Sequence, residues 1–104
     1  MPDMKKLKRE MLKMQREMEQ AQAEVAFLSA EGSAGGGMVK VVASGDGSLV
    51  SVRINPDAVD PEDVEMLEDM IRAAANDALK AVGELVELRM SAVTGDIKIP
   101  GLGF

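Results

Sequence analysis

Apolar residues recur at Met4, Leu7, Met11, Met14, Met18, Ala21, Val25 and Leu28, in alternating steps of three and four over four heptads. Such spacing keeps one face of a helix apolar and draws a coiled-coil-like seam along it. The helix is predicted to fray in AEGSAGGG, because Gly32 and the Gly35 to Gly37 run carry large backbone entropy costs in any helix. That run reads as a flexible or extended lead-in to a strand, with room for a short strand around Glu31 to Ala34. The pattern then changes period. Met38 to Ser44 reads as a strand, GDGS at Gly45 to Ser48 as a hairpin turn, and Leu49 to Asn55 as its partner. Val50, Val52 and Ile54 alternate with Ser51, Arg53 and Asn55, which predicts one buried and one wet face.

After Pro56 the helical period returns. Asp60 is placed as N-cap, Pro61 at the first helical position and Asp63 at the third. Val64, Leu67, Ile71, Ala74, Ala78, Val82 and Leu85 make the apolar stripe of this second long helix. Ala73, Ala74, Ala75, Ala78 and Ala81 leave a shallow surface over which another element can pack closely. The predicted class is therefore α+β: a long N-terminal helix, a small antiparallel sheet of two or three strands, and a long C-terminal helix. Residues 1–96 are assigned to one domain and 97–104 to a flexible tail, whose Ile97, Ile99, Leu102 and Phe104 could clip onto the body. Two or three strands are not stable alone, so the hairpin needs a helix or another subunit over it.

Composition narrows the chemistry. The chain has 104 residues with nine Met, two Phe, no Cys and no His. Disulfides, thiolate metal sites and every nucleophile–histidine arrangement are thereby excluded. The Gly run lacks the GK[ST] of a phosphate loop and follows a helix instead of a strand. Glu65, Glu68 and Asp69 share a helical face, but acids at a helix start ordinarily complement its dipole. No metal or cofactor is expected, and no enzymatic activity. No apolar run approaches the ~18 residues of a membrane span, and the chain is expected to be cytoplasmic.

Charge is the informative feature. Formal net charge is -6, yet residues 1–16 hold six cations and two carboxylates, against six cations and sixteen carboxylates in the remainder. Lys6, Arg9, Lys13 and Arg16 form a row opposite the seam, widened by Lys5 and Lys8. A basic arm on an acidic body suits a polyanion met by the arm while the body is repelled. Lys and Arg on one helix neutralise phosphates without reading bases. The chain has neither Trp nor Tyr to build a stacking platform for single strands, so the duplex is the expected form.

The succession AGGGMVKV, V-x-I-N-P and LEDMIRAAANDALK, with KMQREMEQAQ before it and PGLGF after it, resembles the YbaB/EbfC family of bacterial nucleoid-associated proteins across nearly the whole chain. The resemblance implies a tweezer-shaped homodimer with projecting helices that binds double-stranded DNA with weak or variable sequence preference, in the nucleoid. It also makes a recombination-repair protein partner conceivable. Lys5, Lys6, Lys8, Arg9, Lys13 and Arg16 are the residues assigned to DNA. In one respect the chain departs from many relatives: the later half of the second helix, ALKAVGELVELRM, offers only Lys80 and Arg89 against Glu84 and Glu87. The rival reading is a dimeric scaffold that docks a protein on the first-helix seam.

Overall fold

A computed structural model describes residues 3–94 and gives α1 (Met4–Val25), β1 (Ser29–Ala34), β2 (Val39–Ser44), β3 (Leu49–Ile54) and α2 (Val64–Thr94), with one 3-10 turn at Pro56–Ala58. The expected tail at 97–104 lies outside the described residues. The strands form one antiparallel sheet in the order β1-β2-β3. The molecule is long and thin, 77 × 28 × 16 Å along its principal axes.

α1 starts where the side chain of Asp3 accepts a hydrogen bond from the Lys6 backbone N–H at 3.2 Å. It ends earlier than the seam pattern suggests. Ala26 caps it, and Phe27 and Leu28 donate to the carbonyls of Glu24 and Val25 in a closing turn, so that Leu28 is no longer helical. The strand placed around Glu31 to Ala34 is a full six-residue partner of β2, running from Ser29↔Ser44 to Ala34↔Val39. The Gly run is not an extended lead-in. Gly35, Gly36 and Gly37 all have left-handed backbone (φ 64, 68 and 93°), which only glycine adopts three times in succession without strain, and they make the turn from β1 into β2.

Gly32 has a different task. It is buried in β1, and a Cβ there would lie 2.2 Å from the Ala78 backbone nitrogen and 2.4 Å from the Ala74 carbonyl oxygen. Strand and helix touch backbone to backbone, which requires small residues on both sides. The core is correspondingly built from Val and Ala: Val39, Val41 and Ala43 on β2, and Ala74, Ala78 and Val82 on α2, with Leu67, Met70, Ile71 and Ala75 packed at its margin. Of the Ala surface of α2, Ala74 and Ala78 thus make the contact and Ala75 its margin, while Ala73 is exposed.

Two expectations about burial and capping are corrected. α2 begins at Val64, and its N-cap is Asp63, whose carboxylate accepts from the Met66 N–H at 3.2 Å. Asp60 instead closes the preceding turn by accepting from the Glu62 N–H. Both aspartates can cap, and the chain uses the one that lets Pro61 sit in the turn. On β3, Val52 and Ile54 pair with Val41 and Val39, and so share their face, but Val50 is 64% and Val52 45% exposed. The cause is coverage: α2 packs over β1 and β2 and leaves β3 bare. A bulge where Leu49 and Val50 oppose Ala43 turns Leu49 onto the same open margin.

Candidate nucleic-acid interface

Every residue from Asp3 to Glu17 is exposed, so α1 leaves the body as a free arm of ~22 Å at 1.5 Å per residue. The helix joins the body only in its last turns. Ala21 is buried there, and Gln22, Val25 and Ala26 line a groove with Val86 and Met90 of α2 and with Gly45 and Asp46 of the β2–β3 turn. Glu24 anchors the root of the arm by accepting from Arg89 through both Nε (2.9 Å) and Nη2. Gly45 ties the hairpin to the same place by donating its N–H to the Leu28 carbonyl at 2.8 Å.

Lys5, Lys6, Lys8, Arg9, Lys13 and Arg16 all stand on this arm and are all exposed. None of their side chains has an ion pair or hydrogen bond among the described residues. The helix therefore brings the six assigned cations together along one rod, and nothing in the described chain neutralises them directly. On the opposite side the seam is equally bare: Met4, Leu7, Met11 and Met14 are between 47 and 70% exposed. One helix thus offers a cationic stripe and an apolar stripe, both without cover.

Two cations of the body behave otherwise. Arg89 is held by Glu24, and Arg72 by Asp69 at 2.9 Å one turn away. Arg89 is consequently engaged in fixing the arm and is not a free second contact, while Lys80 is exposed on α2 between Asp77 and Glu84. A cleft of about 450 Å³ at the start of α2 is walled by Asp63, Glu65 and Asp69 with Met66 and Met70, an arrangement that repels a polyanion. At the hairpin tip, the Ser44 hydroxyl and the Ser48 N–H both donate to Asp46 and hold its carboxyl below the ordinary value. This locks the turn at the root of the arm, away from the arm's cations.

Sequence reasoning passed over two exposed cations. Lys40 and Arg53 are direct cross-strand partners on β2 and β3, although thirteen positions apart in the chain. The signal was present: folding the sequence about GDGS, as the hairpin prediction requires, sets Lys40 opposite Arg53.

The profile of the YbaB/EbfC DNA-binding family matches residues 1–97. The chain belongs to that family. It is 49% identical over 102 residues, 98% of this chain and 90% of the relative, to a nucleoid-associated protein of Pelotomaculum thermopropionicum. To a nucleoid-associated protein of Moorella thermoacetica it is 48% identical over 101 residues, 97% of each chain. The crystal structure of an uncharacterized protein from Helicobacter pylori superimposes with a TM-score of 0.69 at 28% identity, over 94% of this chain and 100% of that one. Helix, three-stranded antiparallel sheet and helix are thus the architecture of this member as well. Among the described residues no helix is long and apolar enough to cross a membrane.

Proposed function

We propose that this YbaB/EbfC member is a nucleoid-associated protein that binds duplex DNA as a homodimer, chiefly through phosphate contacts from the α1 arms, and that it is not an enzyme. The observation that carries this reading is the free stripe of Lys5, Lys6, Lys8, Arg9, Lys13 and Arg16 on a projecting helix whose body is acidic. The attraction is local to the arm, and it is strong only if the arm alone approaches the polyanion. Phosphate contacts position a protein on DNA without reading sequence, so weak sequence preference follows. Two arms related by a dimer axis could clamp or bend the duplex held between them, which would give the protein a role in nucleoid organisation or gene expression.

Dimerisation is supported by the bare margin of the sheet. Leu49, Val50, Val52 and Ile54 present an apolar stripe beside α2 that a second copy can cover and that this chain does not. Light scattering at micromolar concentration should give twice the 11.1 kDa of one chain, and a monomer mass would refute the dimer.

Changing Lys6, Arg9, Lys13 and Arg16 together to Gln tests the arm. The substitutions avoid the seam and scarcely alter helix propensity. If about six stripe charges of a dimer meet phosphates, the arm contributes roughly -5 to the slope of log K against log salt, and the variant should lose that contribution. Affinity should fall equally on unrelated duplexes. Undiminished binding by a folded variant would overturn the assignment.

The exposed seam at Met4, Leu7, Met11 and Met14 favours a second reading, a scaffold that docks a protein partner there, for which recombination-repair machinery is one candidate class. Salt separates the two, because apolar docking is insensitive to the screening that releases a polyanion.

A further inference from the structure

The two faces of the sheet differ in kind. Val39, Val41 and Ala43 point toward α2 and are fully buried, so the alternation of a strand sends Lys40, Val42 and Ser44 to the other side. Register then fixes their neighbours: Ser29, Glu31 and Ser33 on β1, and Ser51 and Arg53 on β3. This outer face carries four serines, one Val, two cations and one acid. The remaining acids of the body are set on other elements, ten of them between Asp57 and Glu87 on α2 and the loop that leads into it, of which Asp77 reaches the β1 edge and accepts from the Ser33 N–H at 3.1 Å. An acidic body thus has one face that is not acidic.

Within that face Lys40 and Arg53 stand directly opposite each other, with Ser33 opposite Lys40 on its other side. Like charges placed across a ladder destabilise a sheet. Neither side chain has an ion pair or hydrogen bond among the described residues, in contrast to Arg72 and Arg89, and the one acid of the face, Glu31, stands diagonal to Lys40 without pairing to it. An anion between Lys40 and Arg53 would offset the repulsion. The neighbouring hydroxyls of Ser33 and Ser51 are donors of the kind that contact nucleic-acid phosphates, and no bulky side chain rises from the face to hold a rigid polyanion away.

We propose that the outer face of the sheet, centred on Lys40 and Arg53, is a second phosphate-contacting surface for the duplex that the α1 arm holds. This rests on the reading of the arm as a DNA-binding element and extends it to a part of the body that net charge alone would rule out. The surface adds affinity and salt dependence, and it adds no base recognition.

The test uses full-length protein, a duplex of arbitrary sequence and the slope of log K against log salt. Removing one phosphate-binding cation shallows that slope by about 1, so Lys40→Gln with Arg53→Gln should shallow it by about 2 while mass and melting are kept. Arg53→Gln alone should give about half that change, and Arg53→Lys, which keeps the charge, should give the parent slope. Lys80→Gln removes one cation from the α2 side and should change nothing. An unchanged slope in the double variant overturns the proposal while leaving the arm assignment standing. An equal change per charge in Lys80→Gln also overturns it, because the attraction would then be diffuse. A parent that binds no duplex overturns both readings at once.

Discussion

The arm and the body of this protein are built on opposite principles. In the body, β2 and α2 meet through Val39, Val41, Ala74 and Ala78, all fully buried, and the largest fully buried side chains are only valines. In the arm, the large apolar side chains of Met4, Leu7, Met11 and Met14 are all substantially exposed. Small residues are inside and large ones outside. Side-chain size follows the spacing of the backbones. Where Gly32 lies against the backbone of Ala74 and Ala78, there is no room for more than a methyl group on the helix side. Where a helix projects into solvent, large flexible side chains are useful only to something that arrives later. The thioethers of Met suit a surface of that kind, since they adapt to an incoming shape. The cations divide less simply: Arg89 at the root of the arm and Arg72 on α2 are paired, whereas those of the arm, and Lys40, Arg53 and Lys80 of the body, form no ion pair among the described residues.

The contrast between body and arm breaks most violently at Gly32. A Cβ at that position meets backbone on α2, which cannot rotate away as a side chain can. Gly32→Val should force strand and helix apart and remove the cooperative thermal melt of the body, at a cost at or above the upper end of the ~1–3 kcal/mol usual for overpacking. Far-UV circular dichroism through a temperature ramp checks it. A variant that melted like its parent would mean that the close approach of β1 and α2 is not what holds the body.

A smaller effect is expected on the open margin of the sheet. Val52→Lys puts a charge where 45% of the side chain is already in water. The fold of one chain should tolerate this to within about 0.5 kcal/mol, as surface substitutions generally do. If a second copy covers that margin, the same substitution should convert the dimer to a monomer in light scattering at micromolar concentration. Dimer mass retained together with an unchanged melt would place the subunit interface elsewhere.

What the sequence disclosed and what it withheld follows the same division. The arm was legible because a helix that touches little is governed by its own period, and the steps of three and four from Met4 to Val25 are uninterrupted. The alternation of Val50, Val52 and Ile54 grouped them on one face, and the register sets Val52 and Ile54 beside Val41 and Val39. It could not say how far α2 reaches across that face, which is a property of packing, and so their burial was overstated. Gly32 looked like a helix breaker because a glycine required for close approach and one that ends a helix are the same letter. The choice between Asp60 and Asp63 as cap turned on one preceding turn, since each carboxylate finds an N–H to accept. Lys40 and Arg53 were hidden by separation along the chain and appear only when the hairpin is folded on paper.

The smallest expected effect lies where the body meets the arm, at the β2–β3 turn. Asp46 accepts from the Ser44 hydroxyl and from the Ser48 N–H at 2.9 Å, and these donors lower its carboxyl pKa below the ordinary 3.8. A folded-state pKa below the unfolded one means that the unfolded chain binds the proton more readily, so the contribution to stability is present above about pH 4. It fades as the pH falls through the lowered folded value. Asp46→Asn cannot charge and should therefore melt slightly below the parent at pH 7, with the difference closing on acidification below about pH 4. Asp46 is exposed, so the offset should be small. It should also leave duplex affinity untouched, because the arm cations do not touch this carboxylate. A gap that persisted unchanged to low pH would show that the turn is held by the shape of the side chain and not by its charge.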